Sequence, residues 1–223
     1  MKHLLSSLGL LLSGVPAFGC ELALVLALDV SLSIDQEEFE LQTQGTAQAL
    51  LSPEVSTALL SGGGVAISLF QWSSRNQQRL ILPWTFVSSQ ADLARAAQTI
   101  ASGGRAFKSD TAPGSAIDYA TGLLASNPTQ CGRRVIDVSG DGVENNGIRA
   151  RTASKAAVDA GITVNGLVIV GQDDRAESFY RHNVIGGPGS FLEIANGYGD
   201  YPRAIRDKLL KELPRMVAMD IPK

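Results

Sequence analysis

The sequence predicts an α/β fold in which six strands form a mostly parallel sheet, with helices on both faces and one antiparallel strand at an edge. Three observations lead there. Short apolar runs alternate with helical patterns along the chain, the alternation that builds a parallel sheet covered on both sides. The run Glu21–Leu28 (ELALVLAL) is apolar at nearly every position, as a strand buried on both faces requires. The polar stretch Ser73–Gln78 is too short to hold a crossover helix, so the strands it joins form a hairpin and the third strand runs antiparallel.

The elements follow in order. Lys2 precedes an almost wholly apolar stretch from Leu4 to Val15, and the small residues Ala17 and Gly19 follow. That is the layout of a secretory signal peptide over residues 1–19, and its apolar stretch is short for a bilayer span. Residues 20–223 then form one domain, with Glu21–Leu28 as the first strand. A helix is expected from Ser33 to about Leu51, with Ser33 and Gln36 spaced as a capping box. Gly62-Gly63-Gly64 breaks the chain before strands at Val65–Trp72 and Leu80–Val87. Helices are expected at about Ala91–Ala101 and Gly114–Leu124, and a fourth strand at Arg134–Val138. A helix over about Ile148–Ala160 stops at Gly161, and strands follow at Ile162–Val170 and Phe191–Ala195. The closing helix runs from about Tyr201 to Met216, with Asp200 as its cap and Pro202 in its first turn.

Composition narrows the class. Hydrophobic residues make up 44% and charged residues 18%, so the chain can bury a core and does not read as disordered. The formal charge of -3 is spread without runs of one sign, and a nucleic-acid surface is not expected. Beyond the leader no segment has eighteen uninterrupted apolar residues, so no transmembrane segment is expected there. Export to a periplasmic or secreted location would expose Cys20 and Cys131 to oxidising conditions. The rival reading makes Cys20 the lipid-modified first residue of a lipoprotein, which the bulky Phe18 fits poorly.

Three segments carry the chemistry: Asp29-Val30-Ser31-Leu32-Ser33, Asp110-Thr111-Ala112-Pro113-Gly114-Ser115 and Ser139-Gly140-Asp141-Gly142. Each falls where a loop leaves the carboxyl edge of the sheet, the edge on which open α/β folds bind ligands. Carboxylates and hydroxyls are hard oxygen donors, suited to Mg²⁺, Mn²⁺ or Ca²⁺ and poorly to zinc or copper. Alternate spacing lets Asp29, Ser31 and Ser33 turn towards one point. Taken singly, each segment reads equally well as a helix cap or a turn.

Asp29-x-Ser31-x-Ser33, Thr111 and Asp141, in this order and between these elements, resemble the metal-ion-dependent adhesion site of von Willebrand factor type A domains. The resemblance implies a doubly wound sheet with the first strand beside the fourth and an antiparallel edge strand third. It makes Ser31, Ser33 and Thr111 candidate ligands, with Asp29 and Asp141 binding directly or through water. It also implies an adhesion-type module that captures an Asp or Glu carboxylate of a protein partner through a divalent cation, Mg²⁺ first. The phrases VIDVSGDG (135–142), GITVNGLVIV (161–170) and FYRHNVIGGPGSF (179–191) resemble a group of short exported bacterial type A-like proteins described as a domain of unknown function. One departure stands out: adhesive type A domains often place Thr-Asp-Gly where this chain has Ser139-Gly140-Asp141-Gly142. Lys108 and Asp110 also put charges beside the proposed site.

If the first and fourth strands are parallel neighbours with Asp29 and Asp141 at one level, Cys20 and Cys131 lie one residue, about 3 Å, out of register on strands about 5 Å apart. A disulfide is feasible at that separation and is expected. Two other functions compete with the binding module. One is a structural or assembly protein of the cell envelope with a vestigial metal site; the other is a metal-assisted hydrolase with Asp110 as base. Hydrolase chemistry of the Ser-His-Asp kind would need His182, the only histidine after the leader, and there is no Gly-x-Ser-x-Gly elbow. Gly186-Gly187-Pro188-Gly189 lacks the Lys-Ser/Thr ending of a phosphate loop and reads as a turn. Asp137 is expected to make structural hydrogen bonds, and Trp72 and Trp84 to pack.

Overall fold

Leu22–Asp29 (β1) is buried at every position, because both of its faces are covered by helices. The computed structural model describes residues 19–61 and 63–213. The other strands are Val65–Trp72 (β2), Gln78–Val87 (β3), Arg133–Gly140 (β4), Thr163–Val170 (β5) and Leu192–Asn196 (β6). They form one sheet in the order β3-β2-β1-β4-β5-β6. Every neighbouring pair is parallel except β2–β3. The doubly wound sheet with an antiparallel edge strand, expected from the sequence, is the observed architecture.

Alternation along β1 sorts its side chains between two layers. Leu22, Leu24, Leu26 and Leu28 face one core, shared with the helices Gln36–Leu51 (α1), Pro53–Ser61 (α2) and Gln90–Ala101 (α3) and the closing helix Tyr201–Glu212. Ala23, Val25 and Ala27 face the other, shared with Pro113–Ala125 (α4), Ala150–Asp159 (α5) and Ala176–Phe179 (α6). The closing helix is α7. A π-helical turn, Tyr180–Val184, continues α6. The small residues of β1 meet Ala116 and Ala120 in the second core, so α4 can lie close to the sheet.

The turn between β2 and β3 is closed by the Ser73 N–H donating to the Gln77 carbonyl at 3.0 Å. β3 carries an extra residue where Ile67 pairs Thr85 but Leu69 pairs Leu82. Pro83, which has no N–H to donate, falls in that bulge.

Several expected boundaries shift. α1 begins at Gln36 with Asp35 as its cap, and the capping box joins Asp35 to Glu38 instead of Ser33 to Gln36. Asp200 stands at the head of α7, but its side chain makes no capping bond and instead accepts from Arg203 and from the Asn196 N–H. The expectation for α7 past Leu213, like that of a signal peptide over residues 1–18, lies outside the described residues. α2 and α6 were not anticipated. Among the described residues no helix is long and apolar enough to cross a membrane.

Cys20 and Cys131 form a disulfide with a Cα–Cα distance of 4.4 Å. The register corrects the expected offset. Leu22 lies opposite Arg133 and Leu28 opposite Ser139, so the cysteines are level with each other. The one-residue step falls at the other end, where Asp29 is level with Gly140 and Asp141 projects one residue further.

Candidate metal centre

At the end of β1 the chain turns sharply. The Ser31 N–H donates to Asp29 Oδ1 at 2.7 Å, and Gln42 of α1 donates to the Asp29 carbonyl at 3.2 Å. Asp29 and Ser31 are fully buried, whereas Ser33 is exposed at the rim. The Ser31 and Ser33 hydroxyls are 3.3 Å apart, and Ser33 donates to Asp141 Oδ1 at 2.9 Å. The second oxygen of Asp141 accepts from the Tyr198 hydroxyl at 3.0 Å. Asp29, Ser31, Ser33 and Asp141 thus form one linked chain of polar groups.

Arg105 fixes this loop from behind. Its Nη2 donates to the carbonyls of Val30 at 3.0 Å and Ser31 at 2.6 Å, while its Nε donates to that of Phe107 at 2.9 Å. The Leu32 N–H donates to the Ser109 carbonyl at 2.7 Å, tying the first loop to the one before α4. In that second loop Ser73 is the post. Its hydroxyl donates to the Asp110 carbonyl at 2.9 Å and accepts the Ser109 N–H at 3.1 Å. Thr111 is clamped by Asn145, whose Oδ1 accepts the Thr111 N–H at 2.9 Å while its own N–H donates to the Thr111 carbonyl at 3.0 Å. Ser33, Thr111 and Asp141 line one surface pocket of about 310 Å³ with Asn145, Gln172 and Asp173.

Burial raises the pKa of Asp29 well above the ordinary carboxylate range, and the charge of Asp141 adds to the rise. Burial likewise raises Asp141. Asp29 Oδ2 is buried without a hydrogen-bond partner among the described residues. Among the described residues no three His, Cys, Asp or Glu side chains cluster as a metal-binding group. The rim instead carries the two carboxylates of Asp29 and Asp141 with the hydroxyls of Ser31 and Ser33, and Thr111 lines the same pocket as Ser33 and Asp141; oxygen donors of this kind would suit a hard cation. The partnerless oxygen of Asp29, with the charge of Asp141 close enough to raise its pKa, fits such an ion, which would offset the repulsion between the two acids.

The remaining residues singled out from the sequence lie as follows. Asp110 is exposed, and its Oδ2 accepts from Asn146 at 2.8 Å and Ser74 at 3.3 Å. Asp137 points into the α7 layer, 3.1 Å from Lys208 Nζ. Trp72 is fully buried, and Trp84 donates its indole N–H to the Leu123 carbonyl at 3.1 Å. His182 is exposed, its Nδ1 2.7 Å from the Ser178 carbonyl. Gly186 pairs with Val164 in an isolated antiparallel bridge. Tyr198, Arg105, Gln42 and Asn145 hold the site's residues and were missed. Only Asn145, four residues past Asp141, carried a positional hint.

The sheet order, the antiparallel edge strand and three loops converging on one rim define a von Willebrand factor type A fold, and solved structures agree. Proximal thread matrix protein 1 from the mussel byssus superposes with a TM-score of 0.67 at 12% identity, over 86% of this chain and 48% of that one. Another structure of that protein, with a zinc-occupied MIDAS motif, gives 0.62 at 13% identity over 88% and 46%. A von Willebrand factor type A protein from Catenulispora acidiphila gives 0.63 at 15% over 86% and 42%, and an aerotolerance-related membrane protein from Bacteroides fragilis gives 0.55 at 17% over 85% and 99%. The chain spans about half the length of the byssus protein. At these identities the likeness concerns the fold. The chain belongs to the family described as protein of unknown function (DUF1194), whose model matches residues 19–217. No curated protein matches it.

Proposed function

We propose that this chain is an exported protein-binding module that holds one divalent cation, Mg²⁺ first and Mn²⁺ or Ca²⁺ as alternatives, and captures an Asp or Glu carboxylate of a protein partner. One observation carries the reading: Asp29, Ser31, Ser33 and Asp141 are joined by close polar contacts at the carboxyl rim, while Thr111 borders the same open pocket as Ser33 and Asp141. The byssus protein with its zinc-occupied MIDAS motif and the shared fold support it.

Ser31, Ser33 and Thr111 bring neutral oxygens, and Asp29 and Asp141 bring charge from a buried position. A bound cation in such a set keeps enough positive character to accept an outside carboxylate oxygen. The pocket beside Ser33 and Thr111 leaves room for the partner's side chain, and Gln172 and Asn145 on its wall can donate to it. The signal-peptide layout read from the sequence of residues 1–19 supports export.

Calorimetric titration with Mg²⁺ and Mn²⁺ tests the site, and capture of envelope proteins with magnesium or with chelator tests the function. We expect metal binding that is lost in Asp29→Ala and Ser31→Ala, and partner capture that fails in chelator and in both variants. Capture that persists under all three conditions removes the reading and leaves an envelope assembly role.

A further inference from the structure

We propose that Tyr180 and Tyr198 are positioning residues for the metal site, one phenol serving each aspartate from each face of the sheet. The inference rests on reading the rim as a metal centre. Tyr198 precedes α7 and belongs to the core on that face, and its hydroxyl donates to Asp141 Oδ2 at 3.0 Å. Tyr180 opens the π-helical turn after α6 and belongs to the opposite core. Its ring is fully buried, and its hydroxyl makes no hydrogen bond among the described residues.

Asp29 Oδ2 lies nearby and is likewise buried and without a hydrogen-bond partner among the described residues. Both atoms border the small space above Gly140. A Cβ at that position would press on the Tyr180 hydroxyl and lie 2.8 Å from Asp29 Oδ2. A buried donor and a buried acceptor facing one gap are each costly alone, and the cost falls when they are brought into register. The same geometry accounts for the departure from Thr-Asp-Gly. A threonine in place of Gly140 would fill the space that the Tyr180 hydroxyl and the Asp29 carboxylate both border.

A phenol suits this task because it donates a proton without adding charge. A lysine or arginine in the same place would neutralise the aspartate and repel a cation. Groups that orient metal ligands in this way typically change metal affinity by about 10- to 100-fold when removed.

Mn²⁺ affinity by calorimetry, with melting temperature in chelator, tests the inference on four proteins: the parent chain, Tyr180→Phe, Tyr198→Phe and Tyr201→Phe. Tyr201 is the control, a buried tyrosine whose hydroxyl meets Thr46 and Ser139 and neither aspartate. We expect Tyr180→Phe and Tyr198→Phe to bind Mn²⁺ about 10-fold or more weakly, with melting temperatures in chelator no lower than that of Tyr201→Phe. Tyr201→Phe should bind like the parent. Parent-like affinity in Tyr180→Phe or Tyr198→Phe overturns the paired role, and an equal loss in Tyr201→Phe overturns it in favour of packing. If the parent itself binds no Mn²⁺, the metal-centre reading falls and takes this inference with it, an outcome distinct from variants that match a binding parent.

Discussion

The carboxylate of Asp35 accepts the Glu38 N–H at 2.9 Å, and Glu38 returns an oxygen to the Asp35 N–H at 2.8 Å. The pair Ser33 and Gln36 has the same spacing, and from spacing alone the two boxes are equivalent. A carboxylate gains more at the positive end of a helix than a hydroxyl does, and the Ser33 hydroxyl is engaged with Asp141 instead. Two neighbouring residues therefore divide folding from chemistry. Asp35→Ala should cost about 1 kcal/mol in urea unfolding and leave Mn²⁺ affinity unchanged. Ser33→Ala should do the reverse, weakening Mn²⁺ while unfolding at nearly the parent's denaturant concentration. Finding both losses in one variant would show that cap and site are a single unit. Residues such as Asp29, Ser31, Ser33, Thr111 and Asp141 could be singled out from sequence because each sits in a short motif beside a strand end or helix start. Tyr198 and Arg105 could not be. Their donors reach carboxylates and carbonyls 57 and 74 residues away, and nothing local marks such a reach.

Within β4, Asp137 faces α7 and meets Lys208 at 3.1 Å, and Lys208 donates to Glu212 at 3.1 Å. Asn165 of β5 also donates to Glu212, at 2.7 Å. Two carboxylates and one ammonium are thus shut inside an apolar layer, one negative charge in excess. Burial accordingly pushes Asp137 up to about 7, with Lys208 opposing the rise and Glu212 adding to it. In the unfolded chain this carboxyl titrates at about 3.9. Between these values the folded protein holds a proton that the unfolded chain has lost, so this group's contribution makes stability fall as pH rises from about 4 to about 7. Above that range it is level. Asp137→Asn removes the titration, and its stability relative to the parent should rise from pH 5 to pH 8, read by urea unfolding at both. Asp29 and Asp141 are also raised, but they are common to both proteins and cancel in the difference. A constant difference between the two proteins would show that Asp137 is ionised throughout. The strands were legible because buried runs are continuous. Ser139 and Gly140 read as loop, yet they pair with Leu167 and Val168 and extend β4 to the oxygen-rich rim. α6, with four residues, is too short to show a helical period.

Across the whole molecule, β1 and β4 join two devices at opposite ends. The disulfide closes a separation of 111 residues beneath the sheet, and the oxygen-rich rim stands eight residues of β1 away, roughly 25 Å at strand rise. The register links them: with Cys20 level with Cys131, Asp141 projects one residue beyond Asp29, and Ser33 meets it there. A loop of this size stabilises by up to about 5 kcal/mol in the chain-entropy model, most of it through the unfolded state. A cation stabilises only the folded state, in proportion to its affinity. Sites this far apart with no shared partner should add independently. Replacing both cysteines with alanine should therefore lower the melting temperature substantially while leaving the rise produced by saturating Mg²⁺ the same in free energy as in the parent. The comparison needs the pair of variants with and without metal, followed by calorimetry. If the Mg²⁺ increment shrinks when the bridge is gone, the register at the rim depends on the bond below it, and the disulfide belongs to the binding site as much as to the fold.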